Sequence, residues 1–264
     1  MCCAETTLIP YRVPMATMTP LPPHQSHLGT FPRLLFALNA VCAWIGLSIG
    51  TTSSALALYD YPHTDPNLFG FNTSPIGRLI DTYSYFTIWS NLIVAIVMTI
   101  LVFAPNRGRI FKVLHLDALM MITVTGILYW MLLAATSTSI GIDRIGNLFD
   151  HTITPVITIV IWLIVGPRNW IRWWMVFAAL ILPIVWAAYT VIRGTMLNTW
   201  PYPFLNVAKY GMPAVLTTIG AIAVFGLLIG FIYYGIDLLL SRKARASQRA
   251  ADAEAATPAP TPAV

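Results

Sequence analysis

The chain has 264 residues, of which 57% are hydrophobic and only 9% are charged. A soluble domain usually carries about a quarter charged residues, so this composition excludes a soluble globular enzyme and indicates an integral membrane protein. The formal net charge of +5 does not indicate nucleic-acid binding, because the basic residues are spread over the connections between apolar segments.

Residues 1–30 predict a flexible leader, since they contain prolines and threonines but no continuous apolar core. Cys2, Cys3 and Cys42 lack the spacing of a metal site or of a disulfide framework. The sequence therefore predicts no metal and no other cofactor.

Six apolar segments follow, each near the length of about 20 residues that spans a bilayer as a helix. They are Leu34–Leu58, Tyr83–Phe103, Val113–Ala135, Asn147–Val165, Trp173–Ile192 and Met212–Leu240. The pattern predicts an all-α membrane protein, a six-helix bundle over residues 31–240. The remaining residues, 241–264, are first basic and then rich in Ala and Pro, which predicts a disordered tail that touches lipid headgroups.

The orientation follows from the basic residues in the connections. Eleven Lys and Arg residues fall on the side of both termini, and four fall on the other side: Arg78, Arg144, Arg193 and Lys209. The positive-inside rule therefore predicts a multi-pass protein of the cell membrane with both termini in the cytoplasm.

The second apolar segment begins with a polar stripe. Tyr83, Thr87 and Asn91 lie four residues apart, and Ser90 lies beside them, so on a helix these side chains share one face. Two interpretations are open. Small polar residues often hold membrane helices together, or the Thr87 hydroxyl is a reactive group that faces an internal cavity.

Two further features fall on the same predicted outer side. His151 begins the fourth apolar segment, where it either caps the helix or acts chemically. The loop after the fifth segment carries Trp200, Tyr202 and Phe204 among prolines, which predicts a stiff aromatic cover where a lipid tail would enter. Arg193 lies nearby and either reaches the headgroups or binds a lipid carboxylate.

Three motifs carry a resemblance to a known family: FTIWSNL in the second segment, HTITPV in the fourth and WPYPFL in the last outer loop. Over about Leu34 to Leu240 the chain resembles the androgen-induced-gene family of six-helix membrane proteins, which hydrolyse fatty acid esters of hydroxy fatty acids. The resemblance implies a Thr nucleophile at Thr87 and a His partner at His151. It also implies that the loop of Trp200, Tyr202 and Phe204 binds the substrate.

The chemistry of these residue types agrees with that expectation. A threonine hydroxyl becomes a nucleophile when a base such as a histidine takes its proton. Asn91 and Ser90 are candidates for oxyanion donors or polar support, and Tyr83 and Arg193 for substrate contacts. We expect a lipid ester hydrolase whose partners are its substrate and membrane lipids, with an oligomeric state that the sequence leaves undefined.

A second class remains open, a non-catalytic lipid-binding or transport protein that uses the same cavity. The lack of internal repeats disfavours a coupled transporter. A haem protein is disfavoured because His115 falls at the inner side of the membrane and His151 at the outer side, so they cannot share one haem.

Overall fold

The computed structural model describes residues 29–58, 65–70, 72–104, 108–137 and 139–256. The predicted leader up to residue 28 lies outside this part. All regular elements of the described part are helical, and its one isolated β-bridge joins Leu68 and Trp200. Six helical segments are long and apolar enough to cross a membrane, which confirms the prediction of an all-α, six-span membrane fold.

The helices, in chain order, are α1 (Thr30–Leu56), α2 (Pro75–Thr82), α3 (Phe86–Phe103), α4 (Arg109–Leu128), α5 (Gly141–Leu148), α6 (Thr154–Val165), α7 (Trp173–Ala178), α8 (Ile181–Leu197), α9 (Val207–Tyr210) and α10 (Met212–Ala256). The spans are α1, α3, α4, α5 with α6, α7 with α8, and α10. Two spans contain π-helical turns, at Tyr129–Leu133 after α4 and at Phe149–Ile153 between α5 and α6.

The second span begins three residues later than the sequence predicts. Its predecessor α2 is started locally by Ser74, whose side chain accepts the Gly77 N–H, and by Pro75 at the first helical turn. The chain then turns at Tyr83–Tyr85, and Tyr85 is the N-cap of α3. Tyr83 therefore precedes the helix that carries Thr87, and the predicted stripe of Tyr83, Thr87 and Asn91 is wrong at its first position.

The last helix is longer than predicted. It continues to Ala256, whereas the sequence predicts disorder from residue 241. Residues 241–256 contain seven Ala, three Arg and one Lys, which are strong helix formers, and no proline interrupts them. A growing helix therefore needs no packing partner to continue through this segment. Residues 257–264 lie outside the described part.

The span α3 is held on both sides by packing. Val94, Met98 and Leu101 are fully buried in an apolar cluster with Phe36 of α1 and Ile122 of α4. A second cluster joins α4, α7 and α10 around Trp162 and Tyr233, whose rings meet edge to face at 4.9 Å. The middle and the C-terminal half of α3 are thus packed against α1 and α4.

Two connections dock on each other above the N-terminus of α3 and form a cap. The Phe69 N–H donates to Trp200 O at 3.0 Å, and the Trp200 N–H donates to Asn67 O at 2.8 Å. The buried Trp200 ring lies against Gly194 of α8, where a Cβ would come within 2.2 Å of the ring. An ion pair between Arg193 and Asp81 ties the same end of α8 to α2. The cap is therefore anchored to the bundle at several points.

The predicted orientation can be measured with single cysteines in a background that lacks Cys2, Cys3 and Cys42. Thr73 before α2 and Ala246 near the end of α10 are both exposed side chains. We expect an impermeant maleimide to label Thr73→Cys on intact cells and to label Ala246→Cys only after lysis, because basic residues favour the cytoplasmic side. The reverse pattern would put the cap on the cytoplasmic side.

Candidate active site

Thr87 and His151 meet although they belong to different spans. Thr87 lies in the first turn of α3 and is 8% exposed. Its Oγ1 lies 3.1 Å from Nε2 of His151, which is in the π-helical turn of the fourth span. The structure thus brings together the two residues that the sequence predicts as nucleophile and base.

The imidazole of His151 is oriented by a backbone carbonyl. Its Nδ1 lies 3.1 Å from Asn147 O, and a carbonyl oxygen only accepts, so Nδ1 carries the hydrogen in this bond. In the neutral ring, Nε2 is then an acceptor that faces the Thr87 hydroxyl. This is the tautomer that a general base requires.

The π-helical turn at His151 has a local cause in Pro155. The Thr154 N–H bonds to Phe149 O, five residues earlier. In that register the next carbonyl, Asp150 O, would need an N–H from residue 155, which a proline lacks. The Asn91 amide fills this place, because its Nδ2 donates to Asp150 O at 3.0 Å. Asn91 therefore links α3 to the irregular turn that carries His151. Such π-helical turns occur frequently at functional sites.

Asn147 and Tyr129 complete the setting of the imidazole, and sequence reasoning missed both. The Tyr129 ring stacks on His151 with centroids 4.0 Å apart. The Asn147 side chain donates to the Tyr129 hydroxyl at 2.9 Å, while its backbone carbonyl holds His151. The only signal for Asn147 in the sequence is its position four residues before His151. Tyr129 comes from another span, and no local pattern predicts its contact.

Tyr202 lies directly on Thr87. Its hydroxyl accepts the Thr87 N–H at 3.3 Å and lies 3.4 Å from Thr87 Oγ1. Burial raises the pKa of the Tyr202 phenol above its usual range, although hydrogen bonds from Thr87 and Phe86 act in the opposite direction. The phenol therefore keeps its hydrogen at neutral pH and can donate it beside the Thr87 hydroxyl. Sequence reasoning assigned Tyr202 to substrate binding and missed this hydroxyl contact.

Ser90 and Asn91 act on the backbone of Thr87. The Ser90 hydroxyl donates to Thr87 O at 2.8 Å, and the Asn91 Nδ2 donates to the same carbonyl at 2.9 Å. The second hydrogen of the Asn91 amide goes to Asp150 O. Of the two roles predicted for Ser90 and Asn91, their hydrogen bonds fit polar support. Their donor groups bond to backbone carbonyls of Thr87 and Asp150 and do not point to an oxyanion.

Two cavities meet at the Thr87–His151 pair. One, of about 100 Å³, is apolar and lies between α4, α8 and α10, where Met121, Ile184 and Ala223 line it. The other, of about 370 Å³, is polar and lies between the cap, α1 and the fourth span, where Ser54 and Asn147 line it. Their shared walls are Thr87, His151, Tyr129, Leu133 and Tyr202. The pair is therefore accessible both from an apolar and from a polar space.

The predicted substrate contacts divide into two groups. Phe204 lines the apolar cavity and stacks on Tyr202 with centroids 5.2 Å apart. Trp200 lines neither of the two cavities, since its ring is used to pack the cap on Gly194.

Tyr83 and Arg193 also lie away from both cavities, and their assignment to substrate binding is not supported. The Tyr83 hydroxyl bonds to Thr51 Oγ1 at 3.0 Å, because the turn before α3 directs it toward α1. Arg193 is paired with Asp81 and lies over the Phe69 ring at 4.4 Å from its centroid. The charge of Arg193 is thus already paired with a carboxylate of the protein, away from both cavities.

Fold and site together define a six-span helical membrane protein with a threonine–histidine pair at the junction of two cavities. Comparisons with protein-family models, curated proteins and solved structures found no match to this chain. The functional assignment therefore depends on the geometry of the site.

Proposed function

We propose that this protein is a carboxylic ester hydrolase of the cell membrane that cleaves fatty-acyl esters with Thr87 as nucleophile and His151 as general base. The observation that carries the proposal is the 3.1 Å contact between Thr87 Oγ1 and the acceptor nitrogen of His151, at the junction of the two cavities. The motif resemblance supports the same two residues and adds fatty acid esters of hydroxy fatty acids to the substrates to be tested.

The first half of the reaction forms an acyl-enzyme. His151 Nε2 takes the proton of Thr87 Oγ1, and Oγ1 bonds to the ester carbonyl carbon. The carbonyl oxygen becomes an oxyanion, to which the Tyr202 phenol donates. When the tetrahedral intermediate collapses, the bond to the alcohol oxygen breaks and His151 returns the proton to that oxygen. The alcohol leaves, and the acyl group remains on Thr87.

The second half repeats these steps with water. His151 takes a proton from a water molecule, whose oxygen attacks the acyl carbon, and the bond to Thr87 Oγ1 then breaks. Oγ1 recovers a proton from His151, and the fatty acid is released. The polar cavity is the route by which water reaches the acyl-enzyme, whereas the apolar cavity excludes water from the acyl chain.

The hydrogen bonds of Thr87 differ from those of threonines that only pack. The hydroxyls of Thr99, Thr123 and Thr158 donate to the carbonyl four residues earlier in their own helices, at 2.6, 2.7 and 2.7 Å. These three also bond to side chains of other spans, but none of them bonds to an imidazole among the described residues. The Thr87 hydroxyl contacts the acceptor nitrogen of His151 and the Tyr202 hydroxyl, without a bond to a carbonyl of its own helix. This difference supports a reactive threonine over a threonine that holds helices together.

The direct test is hydrolysis of chromogenic acyl esters by the purified full chain in detergent. We expect turnover that requires Thr87 and labelling of Thr87 by a fluorophosphonate probe, because such probes trap activated hydroxyls. A well-folded sample without turnover or labelling would contradict the proposal and favour a lipid-binding protein.

The apolar cavity predicts a dependence on chain length. Ala223 of α10 lines it, whereas Ala221 on the same helix is exposed and does not. We expect Ala223→Phe to raise KM for a palmitoyl ester by about tenfold, since the larger ring occupies the space of the acyl chain. KM for an acetyl ester should change little. Ala221→Phe is the matched control, and an equal effect of both variants on both esters would contradict this use of the cavity.

A further inference from the structure

The polar cavity is lined by groups that bind hydroxyls. Its walls include Ser54, Thr82, Ser137, Ser139, Asn147 and Asp150. The Asn147 amide donates to both Ser137 Oγ and Ser139 Oγ at 3.0 Å, and the hydroxyls of Ser54 and Thr82 bond to each other. Hydroxyl and amide groups both donate and accept, so they match a ligand whose groups also do both.

The ionisable residues of the described cavity lining are acids and one histidine, His151. Asp143 and Asp150 line it, and no Lys or Arg does so in the described part of the chain. Arg78, close to the wall, donates to the backbone carbonyls of Ser54 and Ala55. A carboxylate in this cavity would find no Lys or Arg among the described lining residues and would lie near Asp143, which disfavours its binding.

Asp150 is the buried acid at the base of this cavity. It is 5% exposed, and its Oδ1 has no hydrogen-bond partner within the described residues. The carboxyl fits against α1 only because residue 46 is a glycine, where a Cβ would lie 2.2 Å from Oδ1. Oδ2 lies on the side of Gly50, which lines the cavity with Asp150. Oδ2 is therefore the oxygen on the cavity side, within reach of a ligand hydroxyl, whereas Oδ1 is enclosed against α1.

We infer that the alcohol half of the substrate is a neutral polyhydroxy group, such as glycerol, which occupies the polar cavity while the acyl chain occupies the apolar one. This inference rests on the ester hydrolase function proposed above and specifies the leaving group. Ester bonds between the two halves lie at Thr87, since the two cavities share that wall. The lack of Lys and Arg in the described lining separates this substrate from an ester whose alcohol half carries a carboxylate.

The test compares four palmitoyl esters with the purified full chain in neutral detergent. Their alcohols are glycerol, a hydroxystearic acid, the methyl ester of that acid, and choline. We expect kcat/KM for the glycerol ester to exceed that for the hydroxystearic acid ester by about tenfold or more, because the carboxylate has no counter-charge. Methylation should recover part of this loss, since it removes the charge and keeps the chain.

Two variants test the cause of the discrimination. Asp143→Asn and Asp150→Asn each remove a carboxylate with little change in shape, and either should reduce the preference for the glycerol ester over the hydroxystearic acid ester. Asp252→Asn, beyond the last span, removes the same charge and should leave the ratio unchanged. An unchanged ratio in Asp143→Asn and in a folded Asp150→Asn sample would overturn the inference.

The substrates also separate this inference from the function on which it rests. Cleavage that requires Thr87 but is fastest with the hydroxystearic acid ester would overturn the polyol inference and leave the hydrolase standing. Fastest cleavage of the choline ester would replace the polyol with a cation. If no ester is cleaved, the proposed function fails, and this inference fails with it.

Discussion

Thr87→Ala, His151→Ala and the double variant should lose ester hydrolysis to the same floor, about 10³-fold below the wild type. The two side chains act as one unit, because the hydroxyl is a nucleophile only while Nε2 of His151, 3.1 Å away, accepts its proton. Removal of the second residue therefore costs little once the first is absent. The measurement is kcat/KM for a chromogenic acyl ester with each purified variant.

Three controls separate chemistry from folding. Thr87→Ser keeps the hydroxyl and should retain part of the activity, while Thr87→Val keeps the shape without the hydroxyl and should be inactive. Thermal unfolding in detergent should be similar for all variants. Full turnover in a folded Thr87→Ala sample would show that Thr87 only packs, and the lipid-binding alternative would then be preferred.

Tyr202→Phe should lower kcat by about 10²-fold with little change in KM, the loss expected when one oxyanion donor is removed. The Tyr202 oxygen already accepts the Thr87 N–H, so its own hydrogen is free to donate beside Thr87 Oγ1, 3.4 Å away. Tyr189→Phe is the matched control, since it removes a hydroxyl that bonds to Ser84, away from both cavities. Equal losses in both variants would contradict a donor role for Tyr202.

The pH dependence adds a second readout for Tyr202. Burial raises the pKa of its phenol, so the donating hydrogen persists at alkaline pH, and the ionisation of Tyr202 should not limit kcat below about pH 10. The pKa of Tyr202 is higher in the folded than in the unfolded chain. Its contribution to the stability of the fold is therefore fully present below the unfolded pKa and is lost as the pH rises through the folded pKa. A fall of kcat near pH 8 that disappears in Tyr202→Phe would contradict this assignment.

The sequence alone determined the class of fold. Apolar runs of membrane length must form helices in lipid, because hydrocarbon offers no partner for the backbone N–H and C=O groups. This constraint is local, so six spans were predictable, but most of their ends were not. The third and fourth spans, for example, begin at Arg109 and Gly141, before the predicted Val113 and Asn147. Tyr83 is excluded from α3 by a turn inside an apolar segment. The helix α10 extends to Ala256 because the residues after Leu240 are helix formers, although the sequence was interpreted as disordered there.

Thr87 and His151 were also predictable as candidates, since each is a chemically capable residue at the same predicted depth. Their 3.1 Å contact, however, depends on how the second and fourth spans pack, which no local pattern encodes. The same holds for Tyr129, whose ring comes from the third span, and for the Tyr202 hydroxyl, which the cap delivers.

Only the tertiary structure decided which polar side chains belong to the site and which hold the bundle together. Arg193 has the residue type of a headgroup ligand, but packing places it beside Asp81, and a charge buried in an ion pair is no longer available to a substrate. Asn91 has the residue type of an oxyanion donor, but Pro155 leaves Asp150 O without its backbone partner, and the Asn91 amide is used there. The partners that a polar side chain can reach are set by contacts between spans that are distant in sequence, which no local pattern encodes.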